Sequence, residues 1–161
     1  MNFPTYTRRE FCSFTVQTLS LGAITALASG CGSSSSSSTS PSGVGTLPTL
    51  TTISGTIVNN TITLTIDSSS PLTNVGSAAL LDASGRSFLV SRTGQSSFTA
   101  LTAICTHEGC TVSNYQNQVF ECPCHGSQYS TSGSVLKGPA SSPLRQFTTN
   151  FSNNVLTITT V

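Results

Sequence analysis

Four of the six cysteines and both histidines of this 161-residue chain fall in two short segments. Residues 105–110 read Cys-Thr-His-Glu-Gly-Cys, and residues 122–127 read Cys-Pro-Cys-His-Gly-Ser. On neighbouring loops, these segments can bring two thiolates and two imidazoles together. Such a donor set suits a tetrahedral zinc ion or an iron–sulfur cluster held by two sulfurs and two nitrogens. The spacing therefore predicts a metal centre and leaves the identity of the metal open.

Short strands are predicted to position these two segments. Residues 61–66 alternate between polar and apolar side chains, so Ile62, Leu64 and Ile66 share one face. The pairs Asn59-Asn60 and Asn153-Asn154 are typical of hairpin turns, because Asn tolerates positive φ. Further strands are predicted at residues 53–58, 78–81, 87–91, 98–104, 146–151 and 155–160. Strands at this spacing predict an all-β domain, built as an antiparallel sandwich or barrel.

The charge of the chain excludes several classes of function. Charged residues make up only 7% of the sequence, and the formal net charge is +1. The few cations form no basic patch for a phosphate backbone, which argues against nucleic-acid binding. No apolar run reaches the roughly 20 residues of a membrane-spanning helix. Three cations of the folded part, Arg86, Arg92 and Arg145, are interpreted as solvated strand ends.

Residues 1–31 have the features of an export signal. Arg8 and Arg9 precede an uncharged stretch at residues 14–28, which ends in small residues. The arginine pair with Phe11 resembles the twin-arginine motif, although Cys12 stands where Leu is usual. An ordinary secretory signal and an uncleaved anchor are the alternatives.

Two processing sites compete in this region, and a flexible linker follows them. Residues 28–31 resemble a lipobox in which Cys31 becomes the lipidated N-terminus, whereas residues 26–28 fit an ordinary small-x-small cleavage site. The Ser- and Gly-rich segment that follows behaves as a flexible coil, and a tether of this kind favours the lipoprotein. The predicted organisation is a signal at residues 1–31, a linker at residues 32–45 and one folded domain at residues 46–161.

The two metal-binding segments resemble those of the Rieske iron–sulfur family, of the disulfide-containing type found in cytochrome bc complexes. The resemblance extends over residues 100–147 and includes Ser127 and Tyr129, which match the family's Ser-x-Tyr pair. It also includes Gly138-Pro139-Ala140, which matches the family's proline loop. The resemblance implies the Rieske fold and a Rieske-type [2Fe–2S] cluster.

The resemblance further implies a role for each residue of the site. On this resemblance Cys105 and Cys122 hold one iron, and His107 and His125 hold the other. Cys110 and Cys124 form a disulfide. The residues that surround the cluster are Ser127, Tyr129, Gly138 and Pro139. Ser127 would donate a hydrogen bond to a bridging sulfide, and Tyr129 would donate one to a cysteine sulfur. Export permits the disulfide, and two free thiols are the alternative.

Imidazole ligands set the redox properties of such a centre. Two ferric irons, two sulfides, two thiolates and two neutral imidazoles carry no net charge. If thiolates replaced the two imidazoles, the centre would carry two negative charges, which would disfavour reduction. Imidazole ligands therefore raise the reduction potential, and Rieske centres span roughly −150 to +300 mV. Hydroxyl donors to the sulfurs stabilise the reduced state, which predicts the upper part of that range here. Oxidation adds positive charge beside the imidazoles and so lowers the pKa of their nitrogens that do not hold iron. The electron can therefore travel with a proton.

The family resemblance implies one-electron transfer. Together with the export signal and the linker, it predicts a carrier tethered on the cell-envelope side of a membrane. The expected partner is a redox protein such as a cytochrome or an oxidoreductase subunit, with quinol as a further candidate and no nucleic acid. The membrane contact would be a lipid or an N-terminal anchor. The sequence has no nucleophile–base arrangement for catalysis of its own.

Two alternatives stay open. The chain could be the iron–sulfur subunit of a quinol-oxidising cytochrome bc-type complex or of a molybdenum oxidoreductase, which predicts co-purification with the other subunits. A zinc-stabilised β-domain acting as a binding module would instead be colourless. Glu108 bears on the first alternative, because bc-type members usually carry Leu there and a carboxylate makes the exposed rim less apolar. A solvated loop residue without a role is the other interpretation of Glu108.

Overall fold

The computed structural model describes residues 47–161, and within them every regular element is a β-strand. The all-β prediction is therefore confirmed. The predicted signal at residues 1–31, with Cys31, and the linker at residues 32–45 lie outside the described residues. Among the described residues there is no helix that is long and apolar enough to cross a membrane. The strands are β1 (Thr52–Gly55), β2 (Ile57–Val58), β3 (Thr61–Thr65), β4 (Ala78–Ala83), β5 (Arg86–Arg92), β6 (Phe98–Thr102), β7 (Asn114–Gln116), β8 (Val119–Glu121), β9 (Gln128–Ser130), β10 (Val135–Lys137), β11 (Gln146–Ser152) and β12 (Val155–Thr159).

Eight of these strands form one nearly closed, barrel-like sheet in the order β1-β4-β5-β6-β11-β12-β3-β2. Neighbouring strands are antiparallel except β1 and β4, which run parallel with Thr52 opposite Leu80. The prediction of an antiparallel sheet is therefore wrong at this one pair. Between β1 and β4 the chain forms the β2–β3 hairpin, which stands at the other end of the strand order. A crossover of this kind is what parallel pairing requires.

The strand predicted at residues 53–58 is divided into two. β1 ends at Gly55 and β2 begins at Ile57. A Cβ atom at Gly55 would lie 3.0 Å from Leu81 Cδ1 and 3.1 Å from Ile62 Cγ2. Glycine therefore lets the chain pass close to both β3 and β4, where a larger side chain would force them apart.

Pairs of residues with positive φ close the hairpins. Asn59 and Asn60 have φ values of 47° and 60°, and Asn153 and Asn154 have values of 51° and 60°. Both predicted Asn turns are thus confirmed, and two positive φ values in a two-residue turn match the twist of the flanking strands. A third turn of this type, at residues 117–118, joins β7 to β8.

The large sheet wraps around its own apolar core. Ile62 and Ile66 are buried in this core, and Leu64 packs against it, which confirms the shared face predicted for this strand. Phe88 and Phe147 meet edge to face in the core, with 5.2 Å between their ring centroids. This core contains neither of the two metal-binding segments.

Arg92 is not a solvated strand end, contrary to the interpretation from the sequence. Its side chain is half-buried, and its guanidinium donates to four backbone carbonyls. These carbonyls belong to Leu72, Thr73, Gly94 and Gln95. Arg92 therefore ties together the two loops that flank β4 and β5 at this end of the sheet.

A separate four-stranded sheet, β10-β9-β8-β7, carries the metal-binding segments. Residues 105–110 lie just before β7, and residues 122–127 connect β8 to β9. The strands of this sheet are only three residues long, and the sequence pattern did not reveal them. A second apolar core stabilises them and includes Phe120, Tyr129 and the two cysteines Cys105 and Cys122. The candidate ligands therefore belong to a small substructure with a core of its own.

Candidate metal centre

The two metal-binding segments fold as loops with the same backbone turn. The Gly109 N–H donates to the Cys105 carbonyl at 2.9 Å, and the Gly126 N–H donates to the Cys122 carbonyl at 2.9 Å. The two glycines have positive φ values of 76° and 71°, a conformation that favours glycine. The first cysteine of each loop is therefore held in an equivalent local conformation.

A disulfide joins the two loops. It links Cys110 to Cys124, whose Cα atoms are 6.5 Å apart. The pairing implied by the family resemblance is confirmed, and the alternative of two free thiols is wrong. The covalent link holds the two loops at a fixed spacing.

The remaining four donors form an inner pair of thiols and an outer pair of imidazoles. Cys105 and Cys122 are free and buried, with 3% and 1% of their surface exposed, and their thiols are within hydrogen-bonding reach of each other. His107 and His125 are exposed, and their ring centroids are 5.1 Å apart. The loops therefore present sulfur towards the interior and nitrogen towards the solvent.

The surroundings of the two thiols favour ionisation of Cys105 first. Burial raises the pKa of the Cys105 thiol, but hydrogen bonds from Tyr129 and from the His107 backbone N–H outweigh burial and hold that pKa below its usual value. Burial raises the pKa of the Cys122 thiol above its usual value. The pKa of Tyr129 is also raised, first by burial and then by its hydrogen bond to Cys105. Tyr129 therefore keeps its proton as a hydrogen-bond donor.

Two buried hydroxyl groups belong to Ser127 and Tyr129, at the end of the second metal-binding segment and just after it. The Tyr129 hydroxyl is 3.3 Å from the Cys105 sulfur and accepts a hydrogen bond from the Thr106 N–H at 3.2 Å. The Ser127 hydroxyl oxygen accepts a hydrogen bond from the Ala140 N–H at 3.0 Å, which leaves its own proton free to donate. Both residues are fully buried. They are the two residues to which the family resemblance assigned hydrogen bonds towards the cluster.

The segment of residues 138–143, which begins with the proline loop, packs against both metal-binding loops. It contains the cis peptide bond between Gly138 and Pro139. The Thr106 hydroxyl donates to the Ser142 carbonyl at 2.6 Å and also lies 3.1 Å from the Tyr129 hydroxyl. Sequence reasoning did not single out Thr106, although its place between Cys105 and the first histidine marked it as a neighbour of the ligands. Thr106 connects the first loop, the tyrosine donor and this segment.

Glu108 lies between the two imidazoles at the exposed tip of the loops. Its Oε1 atom is 3.8 Å from His107 Nε2, and its Oε2 atom is 3.8 Å from His125 Nδ1. The Glu108 side chain is 62% exposed. The tip therefore carries a carboxylate at the position where bc-type members usually have Leu, as the sequence predicts.

The donor chemistry of these loops fits an iron–sulfur cluster with mixed ligation. Two buried thiols and two exposed imidazoles lie on the two loops, and the buried hydroxyl groups of Ser127 and Tyr129 lie at the end of the second loop and in β9. Residues 64–148 match the family model described as the Rieske [2Fe-2S] domain. This chain belongs to the Rieske [2Fe–2S] domain family. Its cofactor is the Rieske-type [2Fe–2S] cluster, and its role is electron transfer.

Relatives of known identity include iron–sulfur subunits of the cytochrome b6-f complex. The subunit from Nostoc punctiforme is 47% identical over 60 residues, which are 37% of this chain and 34% of that protein. The subunit from Synechococcus sp. strain JA-2-3B'a(2-13) is 56% identical over 41 residues, which are 25% of this chain and 24% of that protein. The chain thus spans about a quarter to a third of the length of these curated relatives.

Solved structures similar to this chain include a Rieske protein and a dioxygenase. The plasma membrane Rieske protein PetC3 from Synechocystis PCC 6803 is 34% identical, with a TM-score of 0.46 over 50% of this chain and 84% of that chain. Naphthalene 1,2-dioxygenase with indole bound in its active site is 19% identical, with a TM-score of 0.54 over 65% of this chain and 27% of that chain. The likeness to the dioxygenase concerns the fold alone.

Replacing Glu108 with Gln is expected to raise the midpoint potential of the Rieske centre. A carboxylate beside both imidazoles stabilises the more positive, oxidised state. Two unit charges 4 Å apart in water interact by about 1 kcal/mol, and 1.4 kcal/mol corresponds to about 59 mV, so we expect a rise of roughly 10–40 mV. Potentiometric titration of the holoprotein measures it, with Asp67→Asn as a control that removes an exposed acid from the loop after β3. An unchanged or lower potential in Glu108→Gln contradicts this prediction.

Replacing Tyr129 with Phe is expected to lower the midpoint potential by roughly 30–60 mV. The Tyr129 hydroxyl donates to the Cys105 sulfur, and such a bond is stronger when the centre is reduced and more negative. The matched control is Tyr115→Phe, which removes a hydroxyl that donates to the Gly76 carbonyl away from the loops. Redox titration of both variants tests the prediction, and equal shifts in the two would show that the bond to sulfur is not the cause.

Proposed function

We propose that Cys105 and Cys122 hold one iron of the [2Fe–2S] cluster and that His107 and His125 hold the other. The observation that carries this assignment is the buried thiol pair beside the exposed imidazole pair, on two loops joined by a disulfide. Thiolates and imidazoles are the ligands of Rieske centres. When bound, the cluster accepts and releases one electron.

The protein supplies the environment for this electron transfer. Tyr129 donates to the Cys105 sulfur, and Ser127, whose hydroxyl oxygen accepts from the Ala140 N–H, keeps its own proton for a hydrogen bond to the cluster. On this proposal both hydrogen bonds stabilise the reduced state. Each exposed imidazole has two ring nitrogens, and the one that does not hold iron can carry a proton at the surface. His107 and His125 therefore form the face through which a partner receives the electron.

We propose that the full chain is a carrier tethered on the cell-envelope side of a membrane. On this proposal residues 1–31 are a twin-arginine-type signal, Cys31 is lipidated, residues 32–45 are the tether, and the folded domain occupies residues 46–161. The Cys110–Cys124 disulfide supports an oxidising compartment. The similarity to a plasma membrane Rieske protein supports a membrane location.

The second candidate is a subunit of a cytochrome complex that oxidises quinol. It is favoured by the similarity to cytochrome b6-f iron–sulfur subunits. The carboxylate of Glu108 at the exposed tip argues against docking into an apolar quinol pocket. We therefore prefer the tethered carrier.

The decisive experiment on the cofactor uses the full chain expressed with its own signal. We expect two irons per purified chain, no stoichiometric zinc, and an electron paramagnetic resonance signal after reduction with dithionite. A colourless protein with zinc and no iron from iron-replete cells would overturn the assignment and favour the binding module.

Fractionation of the same cells tests the tether. Wild-type protein is expected in the membrane fraction with a diacylglycerol-modified Cys31 detectable by mass spectrometry, and Cys31→Ser is expected to move into the soluble fraction. Membrane retention of Cys31→Ser would contradict lipidation. Co-purification with a cytochrome b subunit would support the second candidate.

A further inference from the structure

A groove beside the first metal-binding loop has no part in the proposed electron transfer. It has a volume of about 370 Å³ and lies where β6 ends and where β5 and β11 begin. Its only charged lining residues are Arg86 and Arg145, and both are exposed. Phe88 and Phe147 of the large core form part of its floor.

The two arginines are held over this floor by aromatic stacking. The Arg86 guanidinium carbon is 5.0 Å from the Phe88 ring centroid and 5.9 Å from that of Phe147. The Arg145 guanidinium carbon is 5.0 Å from the same Phe147 centroid. Stacked guanidinium groups keep their N–H donors free at the edges. The sequence-based interpretation of these residues as solvated strand ends therefore misses their common position.

No acid of residues 47–161 neutralises this pair. The described residues contain four cations and four acids, and the other two cations are engaged elsewhere. Arg92 binds backbone carbonyls, and Lys137 lies near the carboxylate of Glu121. The acid nearest in the strand register, Asp82, accepts a hydrogen bond from Ser87 and forms no ion pair. In a nearly neutral domain, Arg86 and Arg145 thus concentrate positive charge in one groove.

The groove adjoins the metal centre through the base of the first loop. Ile104 and Thr111 line the groove and pair with each other in a β-bridge. They directly precede Cys105 and follow Cys110 in the chain. The Ile104 residue is 58% exposed. A partner that occupied the groove would therefore lie beside the loop that carries His107.

We propose that this groove is the docking site for an acidic surface segment of the redox partner protein. The inference rests on the proposed electron-transfer function. Guanidinium groups bind carboxylates in a bidentate manner, and an exposed isoleucine beside them provides the apolar contact typical of protein interfaces. Charge complementarity of this kind raises the rate of encounter and sets the orientation of the partner.

The test uses one haem protein as the electron acceptor, in two forms of opposite charge. They are the basic mitochondrial cytochrome c and the same protein made acidic by succinylation of its lysines. Electron transfer from the reduced holoprotein is followed by stopped-flow over a range of ionic strength. With the acidic acceptor, we expect the wild-type rate to fall as salt increases, because attraction is screened.

Arg86→Gln/Arg145→Gln is expected to slow transfer to the acidic acceptor at least fivefold at low salt and to flatten the salt dependence. Arg86→Lys/Arg145→Lys keeps the charge and is expected to retain at least half the wild-type rate. Lys137→Gln, which removes an exposed cation from the small sheet, is expected to have less effect than the double Gln variant. A rate for the double Gln variant within twofold of wild type, or an equal loss in Lys137→Gln, would overturn the proposal.

Two measurements separate failure of this proposal from failure of the proposed function. The paramagnetic resonance signal and midpoint potential of each variant are recorded first, and a wild-type protein without a signal refutes the electron-transfer function alone. Calorimetric titration of the oxidised proteins with the succinylated acceptor measures docking without electron transfer. At least fivefold weaker binding of the double Gln variant supports the groove, and equal binding refutes it.

Discussion

Replacement of His125 by alanine is expected to abolish the Rieske centre while the domain stays folded. His125 is exposed, and its described contacts are with the His107 ring and the Glu108 carboxylate. If it holds iron, its loss removes one of four ligands. We therefore expect less than a tenth of the wild-type iron content and no paramagnetic signal after reduction. The free energy of unfolding of the apoprotein should change by less than about 0.5 kcal/mol, as for other exposed substitutions.

Glu108→Ala is the matched control for this experiment. Glu108 is also exposed at the tip and also contacts both imidazoles, but it is not among the proposed ligands. It should keep its full iron content. If His125→Ala also retained two irons per chain, His125 would not be a ligand. If both variants lost the iron, the effect would be one of loop conformation and not of ligation.

The separation of the two cores explains why the fold should survive loss of the centre. The large sheet encloses its own core around Phe88 and Phe147, and the ligand loops contribute nothing to it. Among the proposed ligands, only Cys105 and Cys122 belong to the second core, where they pack with Phe120. The two imidazoles project from the surface and bury little area. Histidine substitutions thus affect the centre, whereas cysteine substitutions affect the centre and the small core together.

The parts that the sequence predicts well are those set by local chemistry. Period-two alternation at residues 61–66 and the two Asn-Asn turns are read directly from neighbouring residues, and the structure confirms both. The disulfide follows from the family resemblance and is also confirmed. The convergence of the two loops was predicted from the spacing of cysteine and histidine, because few other arrangements use those residues together.

The parts that escaped prediction depend on contacts between distant segments. The strands of the small sheet are three residues long, too short for alternation to show, and the second apolar core around Tyr129 stabilises them. The parallel pairing of β1 with β4 depends on a crossover that no local pattern records. Arg92 and Thr106 make hydrogen bonds to residues 19 and 36 positions away. Such partners are visible only once the chain is folded.

The donor groups of the centre are divided between a buried side and an exposed side. The two thiols and the hydroxyl groups of Tyr129 and Ser127 lie on the buried side, where they are shielded from solvent. His107 and His125 lie on the exposed side, and the groove of Arg86 and Arg145 adjoins the base of the loop that carries His107. A partner docked at that groove would lie beside the first metal-binding loop. On this proposal the buried donors set the potential, and the groove selects the partner.

Removal of the disulfide is expected to cost the small sheet much of its stability. Cys110 and Cys124 are 14 positions apart, and closing a loop of about 15 residues contributes about 3 kcal/mol in the chain-entropy treatment. For a domain of this size that corresponds to a fall of roughly 10 °C in the temperature of unfolding. We therefore expect Cys110→Ala/Cys124→Ala to lose its visible cluster absorption at a temperature about 10 °C below the wild type, on heating at a fixed rate.

A thiol-level reductant provides the control within the same pair of proteins. Under reductant, the wild type should lose its cluster at the temperature of the double variant, because both then lack the covalent link between the loops. The double variant has no such disulfide to reduce, so its own transition should not move. An equal shift of both proteins would mean that the reductant acts on the cluster itself. Coincident transitions of wild type and double variant without reductant would show that hydrogen bonds and the second apolar core, and not the disulfide, hold the loops together.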